Sequence, residues 1–159
     1  MQPSVRFLAL VKDRSALVSE GLNGYGCTSA GFEVWQPSFQ SSSGRMVLVV
    51  YAQGKAATSL LQVDAAARSQ ILLGVLERMF PGISRKILET KFYSWEDDRW
   101  ARGAQTLVDQ RDFAIREALG DPEGRLYFAG EHTKGGWIDD ALASADRVVG
   151  EIVGANLST

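Results

Sequence analysis

The sequence holds a single cysteine, Cys27, and a single histidine, His132. One thiol cannot close an internal disulfide, and one thiol with one imidazole cannot build a cysteine-rich metal site. Cysteine this sparse fits a reducing compartment, so the expected location is cytoplasmic. No apolar run approaches the roughly 20 residues that span a bilayer, so no membrane partner is expected. The opening MQPSVRFLALVKDR has a short apolar stretch with Asp13 close behind it and lacks a small-residue cleavage site; it is not read as a signal peptide. Charge of one sign is also missing. The 17 basic and 19 acidic residues leave a formal net charge of -2 with the signs mixed along the chain. A basic stripe for phosphate backbones is therefore absent, and nucleic acid is not an expected partner.

A phosphate-gripping dinucleotide turn is missing as well. GLNGYG (21–26) invites that reading, but the fingerprint G-x-G-x-x-G follows a strand and opens a helix, whereas CTS follows here with no helical pattern. The segment reads as a plain loop.

What is present is enough apolar material, 45% of 159 residues, for a sizeable core in one ordinary domain or a piece of a larger one. SVRFLALV (4–11) has the pattern of a mostly buried strand, with a helical turn as the alternative. EGLNGYGCTSAG (20–31) is rich in Gly, Asn, Ser and Thr and reads as a loop. FEVWQP alternates, and RMVLVVYAQG is a β-branched run bounded by SSSG and Gly54; together they predict an antiparallel hairpin. DAAARSQILLGVLERMF predicts an amphipathic helix capped by Asp64, with Ile71, Leu72, Val75, Leu76 and Met79 on one face and a stop at Pro81-Gly82. KILETKFYSW reads as a strand, EDDRWARGAQT as a polar loop, and VDQRDFAIREAL as a helix closed by Gly120 and Pro122. A strand RLYFAG and a helix from about Trp137 to Val153 complete the chain.

The last turn carries the most chemistry. After LYFAG come Gly130, Glu131, Gly135 and Gly136, which let backbone approach a flat or anionic ligand closely. The helix behind them begins with free N–H groups and the positive end of its dipole, favourable to negative charge such as that on a reduced flavin. An ordinary strand-turn-helix connection with a capping Asp explains the same residues equally well on physical grounds.

RLYFAGEHT followed by GGWIDDALASADRVVGEI resembles the C-terminal flavin-binding motif of the flavin-containing amine oxidoreductases, which include monoamine, polyamine and L-amino-acid oxidases. The GWID variant is most similar to the amino-acid oxidase branch. YSWEDDRWARGA resembles the family's second shared block, and the two blocks stand in the family's order. SVRFLALVKD is similar to the strand entering the substrate domain, and VLVVYAQGKAA to a later strand of it.

The resemblance implies an α+β (α/β) fold: mixed or antiparallel substrate-domain strands in residues 1–108, and the closing strand and helix of the FAD-binding domain in 109–159. It implies that Gly130 and Glu131 meet the ribityl and pyrophosphate region of FAD, and that Gly136, Trp137 and Ile138 lie along the ring edge with Ala141 just inside the helix. Trp95 would pack near the flavin, with Gly103 and Ala104 as a close backbone approach. Trp137 and Gln105 would wall the pocket for a small-molecule amine or amino acid.

Several positions depart from the family. Ala104 stands where some relatives carry the cysteine that binds flavin covalently, which implies a non-covalent FAD. Gln105 replaces a tyrosine of the monoamine oxidase cage. Arg6 falls at the family lysine that holds a water near the flavin, and an arginine cannot be deprotonated to act as a base. His132 reads as a surface turn residue. The family's N-terminal G-x-G-x-x-G half is not in these residues, so the FAD site is expected to be incomplete. The expected partner is a polypeptide supplying that half, or a second copy of the chain. The alternative is a non-catalytic remnant or interaction module that retains the fold.

Overall fold

A computed structural model of the chain describes residues 2–18, 24–37, 44–104, 106, 115 and 118–157. The chain divides into two compact units, Pro3–Ala104 and Gln105–Thr159 together with Met1–Gln2. The expected α+β fold class is the one observed.

The first unit is a five-stranded sheet with helices on one face. Strand β1 (Ser4–Val11) is followed by a short helix α1 (Ser15–Val18), β2 (Gly26–Cys27), β3 (Phe32–Trp35) and β4 (Met46–Gln53). Helices α2 (Gly54–Leu61) and α3 (Ala65–Met79), a 3-10 turn (Ile83–Lys86) and β5 (Ile87–Ser94) complete it. The strand order is β2-β3-β4-β1-β5 and every pairing is antiparallel.

Period-two alternation sorts the side chains. Val5, Phe7, Ala9 and Val11 of β1 point the same way as Phe32 and Val34 of β3 and Met46, Leu48, Val50 and Ala52 of β4, and all are buried. Ala57 and Leu60 of α2, Leu72, Val75 and Leu76 of α3, and Phe80 and Ile83 close over them as one cluster. Arg68 ties α3 down, donating from Nε to the Leu60 carbonyl (2.9 Å) and from Nη2 to the Val63 carbonyl (3.1 Å), with its guanidinium 4.5 Å from the Phe92 ring centre.

Helix α3 begins as expected, with the Asp64 carboxylate accepting the Ala67 N–H at 2.8 Å. Past its end, the Glu77 carboxylate accepts the N–H groups of Gly82 (2.6 Å) and Ser84 (2.9 Å). Bonds from Ser84, above all that of its hydroxyl, hold Glu77 below the usual carboxylate pKa.

Four expectations need correction. The strand reading of VLVVYAQGKAA ends at Gln53; Gly54, at φ 54°, turns the chain into α2, where Thr58 Oγ1 donates to the Gly54 carbonyl. The loop 20–31 includes the two-residue strand β2, paired with β3. Ile71 is 40% exposed, because the buried stripe of α3 runs through Leu72, Val75 and Leu76. RLYFAG is not part of a ladder: one isolated bridge joins Glu123 and Leu126, and no described strand lies beside the segment. Strand hydrogen bonds need a neighbour, which apolar pattern alone does not supply. The predicted helix 108–119 falls mostly outside the described residues.

The second unit is built on helix α4 (Ile138–Leu157), preceded by a 3-10 turn (Glu131–Thr133). Among the described residues, no helix is long and apolar enough to cross a membrane, and no cluster of three His, Cys, Asp or Glu suits a metal.

Candidate functional site

The sequence-predicted residues fall into two sets, one in each unit. In the first unit Trp95, Gly103 and Ala104 come together with Arg6 and Ala101 around a recess of about 300 Å³. The loop that makes this possible is closed on itself. The Trp95 N–H donates to the Ser4 carbonyl (3.4 Å), and the Trp95 carbonyl accepts the Gly103 N–H (3.1 Å). Between them Asp98 accepts the N–H groups of Trp100 (2.8 Å) and Ala101 (2.7 Å), and those two bonds, Ala101's first, hold its pKa below the usual carboxylate value. Arg102 takes a left-handed conformation (φ 50°) and Gly103 follows at φ 140°, a backbone suited to glycine. Gly103 is buried, Ala104 exposed and Trp95 41% exposed. Gln105 lies outside the described residues.

Beside the recess runs the sheet face turned away from the core. Register places Glu33, Tyr51, Arg6 and Tyr93 in one cross-strand row, and Trp35, Val49, Leu8 and Lys91 in the next. Trp35 meets Tyr51 edge to face with ring centres 5.4 Å apart, Gln53 Nε2 donates to the Tyr51 hydroxyl, and the Arg6 guanidinium stands 5.5 Å from the centre of the Tyr51 ring. Trp35, Tyr51 and Tyr93 were not singled out from sequence, although the alternation that buries Val34, Val50 and Phe7 assigns their neighbours to this face.

In the second unit Gly130, Glu131, Gly136, Trp137, Ile138 and Ala141 form a strap running into α4. Gly130 has φ 147°, and a Cβ there would lie 2.6 Å from the His132 ring. Its N–H donates to Ser144 Oγ at 2.8 Å, while that hydroxyl donates to the Ala141 carbonyl at 2.7 Å. Ser144 is 2% exposed.

Arg147, one turn further along α4, donates to the carbonyls of Gly120 (2.9 Å) and Phe128 (2.8 Å) and pairs with Glu151 at 2.6 Å. Glu131 Oε1 accepts the Thr106 N–H at 3.2 Å, while its Oε2 is buried with no hydrogen-bond partner among the described residues. Gly136 has φ 95°, and a Cβ on Gly135 would fall 2.6 Å from the Asp140 Cγ. Asp140 itself reaches back to accept the Trp137 N–H at 3.1 Å, the return half of a capping box. Trp137 and Ile138 are 72% and 81% exposed at the helix start. The apolar residues Leu142, Val149, Ile152 and Val153 also stand exposed along α4.

The chain carries a five-stranded antiparallel sheet in one unit and a glycine-bearing strap running into helix α4 in the other. The family model for flavin-containing amine oxidoreductases matches residues 11–153, and the chain belongs to that family. It is 32% identical over 139 residues to a flavin-dependent L-tryptophan oxidase (RebO) of Lentzea aerocolonigenes, covering 79% of this chain and 29% of that protein. It is 29% identical over 119 residues to an L-amino-acid oxidase of Daboia siamensis, covering 70% of this chain and 29% of that protein. A redesigned putrescine oxidase superimposes with a TM-score of 0.85 at 18% identity, over 98% of this chain and 36% of the oxidase. The chain thus spans about three tenths of the length of these curated relatives.

Proposed function

We propose that this chain is the closing part of an FAD-dependent oxidase of amines or L-amino acids. In this reading the pyrophosphate grip comes from a G-x-G-x-x-G segment outside these residues, on a partner polypeptide or through association of copies. The observation that carries the proposal is Glu131. One of its oxygens is fixed by the Thr106 N–H and the other is buried with no donor among the described residues, on a strap where Gly130 stands at φ 147°. A buried acceptor without a partner costs about 1–3 kcal/mol, and a ligand hydroxyl such as those of a ribityl chain would satisfy it.

The residues present therefore fit an FAD. Gly130 and Glu131 would hold its ribityl and pyrophosphate region. Gly136, Trp137, Ile138 and Ala141 would hold the ring edge at the start of α4, where the glycine backbone lets a flat ligand approach closely. Trp95, Gly103 and Ala104 are assigned to the ring's other contacts, and without a thiol at Ala104 the cofactor stays non-covalent. Trp137 and Gln105 are assigned to the substrate pocket wall. When bound, FAD would accept a hydride from the substrate Cα–H and pass the electrons to oxygen, the imine then hydrolysing.

One observation favours a second reading, a non-catalytic module that keeps the fold: Arg6, with its permanent charge, lines the recess shared with Trp95 and cannot serve as a base. Peroxide release separates the two. The chain combined with a polypeptide bearing the G-x-G-x-x-G half is expected to release peroxide on addition of amino acids or amines. A flavin-loaded pair that releases none would leave the non-catalytic module as the reading.

A further inference from the structure

We propose that Arg6 biases the redox state of the bound flavin: its permanent charge stands in the wall assigned to the ring and favours the reduced, negatively charged form over the oxidised, neutral one. The inference rests on the FAD reading above and asks no proton transfer of Arg6. Trp95, Ala101, Gly103 and Ala104 line the recess with Arg6, which is the one charged side chain among the five. The residues assigned to the ring in the second unit, Gly136, Trp137, Ile138 and Ala141, are all uncharged.

The cation is held in place and is not neutralised. Among the described residues Arg6 has neither a hydrogen-bond nor an ion-pair partner. Its guanidinium stands 5.5 Å from the centre of the Tyr51 ring, and Tyr51 is itself fixed by Trp35 on one side and by Gln53 at its hydroxyl. A cation held over an aromatic face keeps its charge while losing freedom before any ligand arrives. Glu33, the acid in its own cross-strand row, lies two strands away, about 10 Å in the hydrogen-bonding direction.

The start of α4 is a poor source of the same field. Its first turn holds Asp139 and Asp140, and Asp140 already accepts the Trp137 N–H. A reduced ring carries its negative charge around N1 and the adjacent carbonyl, so a nearby cation attracts it and is indifferent to the neutral oxidised ring. Arg6 is exposed, and solvent screening limits the preference to about tenfold.

Anaerobic equilibrium dialysis of the full chain against lumiflavin, the ring without its ribityl chain, tests this at mildly alkaline pH, where the reduced ring is anionic. The chain should bind dithionite-reduced lumiflavin weakly, yet about tenfold more tightly than oxidised lumiflavin. Arg6→Gln should lose that preference and Arg6→Lys should keep most of it. In the flavin-loaded pair, Arg6→Gln should lower the midpoint potential by about 30 mV, the two-electron equivalent of tenfold, and Arg6→Lys should restore most of it. Reduced lumiflavin held no more tightly than oxidised, or a preference that survives Arg6→Gln, overturns the proposal, as does an unchanged potential in the loaded pair. A preference that depends on Arg6, in a chain whose loaded pair releases no peroxide, supports the proposal and counts against the oxidase reading alone.

Discussion

Replacing Ser144 with Ala removes one oxygen from a site that is 2% exposed and leaves the Gly130 N–H without its acceptor. Stranding a buried donor costs about 1–3 kcal/mol. Alanine's better helix propensity returns about 0.5 kcal/mol within α4. The net local loss is about 0.5–2.5 kcal/mol, which corresponds to a roughly two- to seventyfold rise in the open population. Amide hydrogen exchange at Gly130 and its neighbours reads this directly, because exchange reports local opening residue by residue. Ser144→Thr, which keeps a hydroxyl, should preserve most of the protection. Unchanged exchange at Gly130 in Ser144→Ala would refute the idea that this hydroxyl fixes the strap.

Leu72 is 1% exposed in the core between α3 and the sheet, so Leu72→Ala should destabilise the first unit by about 2–5 kcal/mol in urea unfolding. Asp13 accepts bonds from the Ser15 hydroxyl and N–H and from Lys86, which together lower its pKa to about 2, the Ser15 hydroxyl having the largest effect. The folded value lies below the unfolded one of about 3.9. This clip therefore contributes fully above about pH 4 and is lost as the pH falls through about 2. Carboxyl NMR should show that midpoint, and Lys86→Met should raise it only partly, since the Ser15 bonds remain.

Much of this architecture is legible in the sequence because local signals and burial agree. The alternation in SVRFLALV, the Asp64 cap before an apolar stripe and the glycine turn before α4 each point to the element that forms. The misreadings arise where one residue decides between outcomes or where the partner is distant. Gly54 bounds the β-branched run as its pattern indicates, but the eight-residue helix α2 that starts there carries no signal that marks it in the sequence, and the family-like segment VLVVYAQGKAA runs across the boundary. RLYFAG has a strand's composition, yet Leu126 and Phe128 remain 63% and 40% exposed with no ladder beside them.

For the site, family motifs marked the strap and the 95–104 loop, whereas the Trp35–Tyr51–Arg6 stack is assembled across three strands by register. Cross-strand neighbours of this kind are visible only once pairing is known. The buried, unpartnered oxygen of Glu131 is likewise a tertiary property, since its burial and the Thr106 bond both depend on how the chain returns on itself.

The most direct measurement of the central claim is an FAD titration of the chain alone and of the chain paired with a polypeptide carrying the G-x-G-x-x-G half, read by flavin absorbance after gel filtration. The account predicts weak or no retention by the chain alone, stoichiometric retention by the pair, and a marked loss when Glu131→Ala is introduced into the pair. Tight, stoichiometric FAD binding by the isolated chain would contradict the divided site, and a pair indifferent to Glu131 would contradict the strap's role in holding the cofactor.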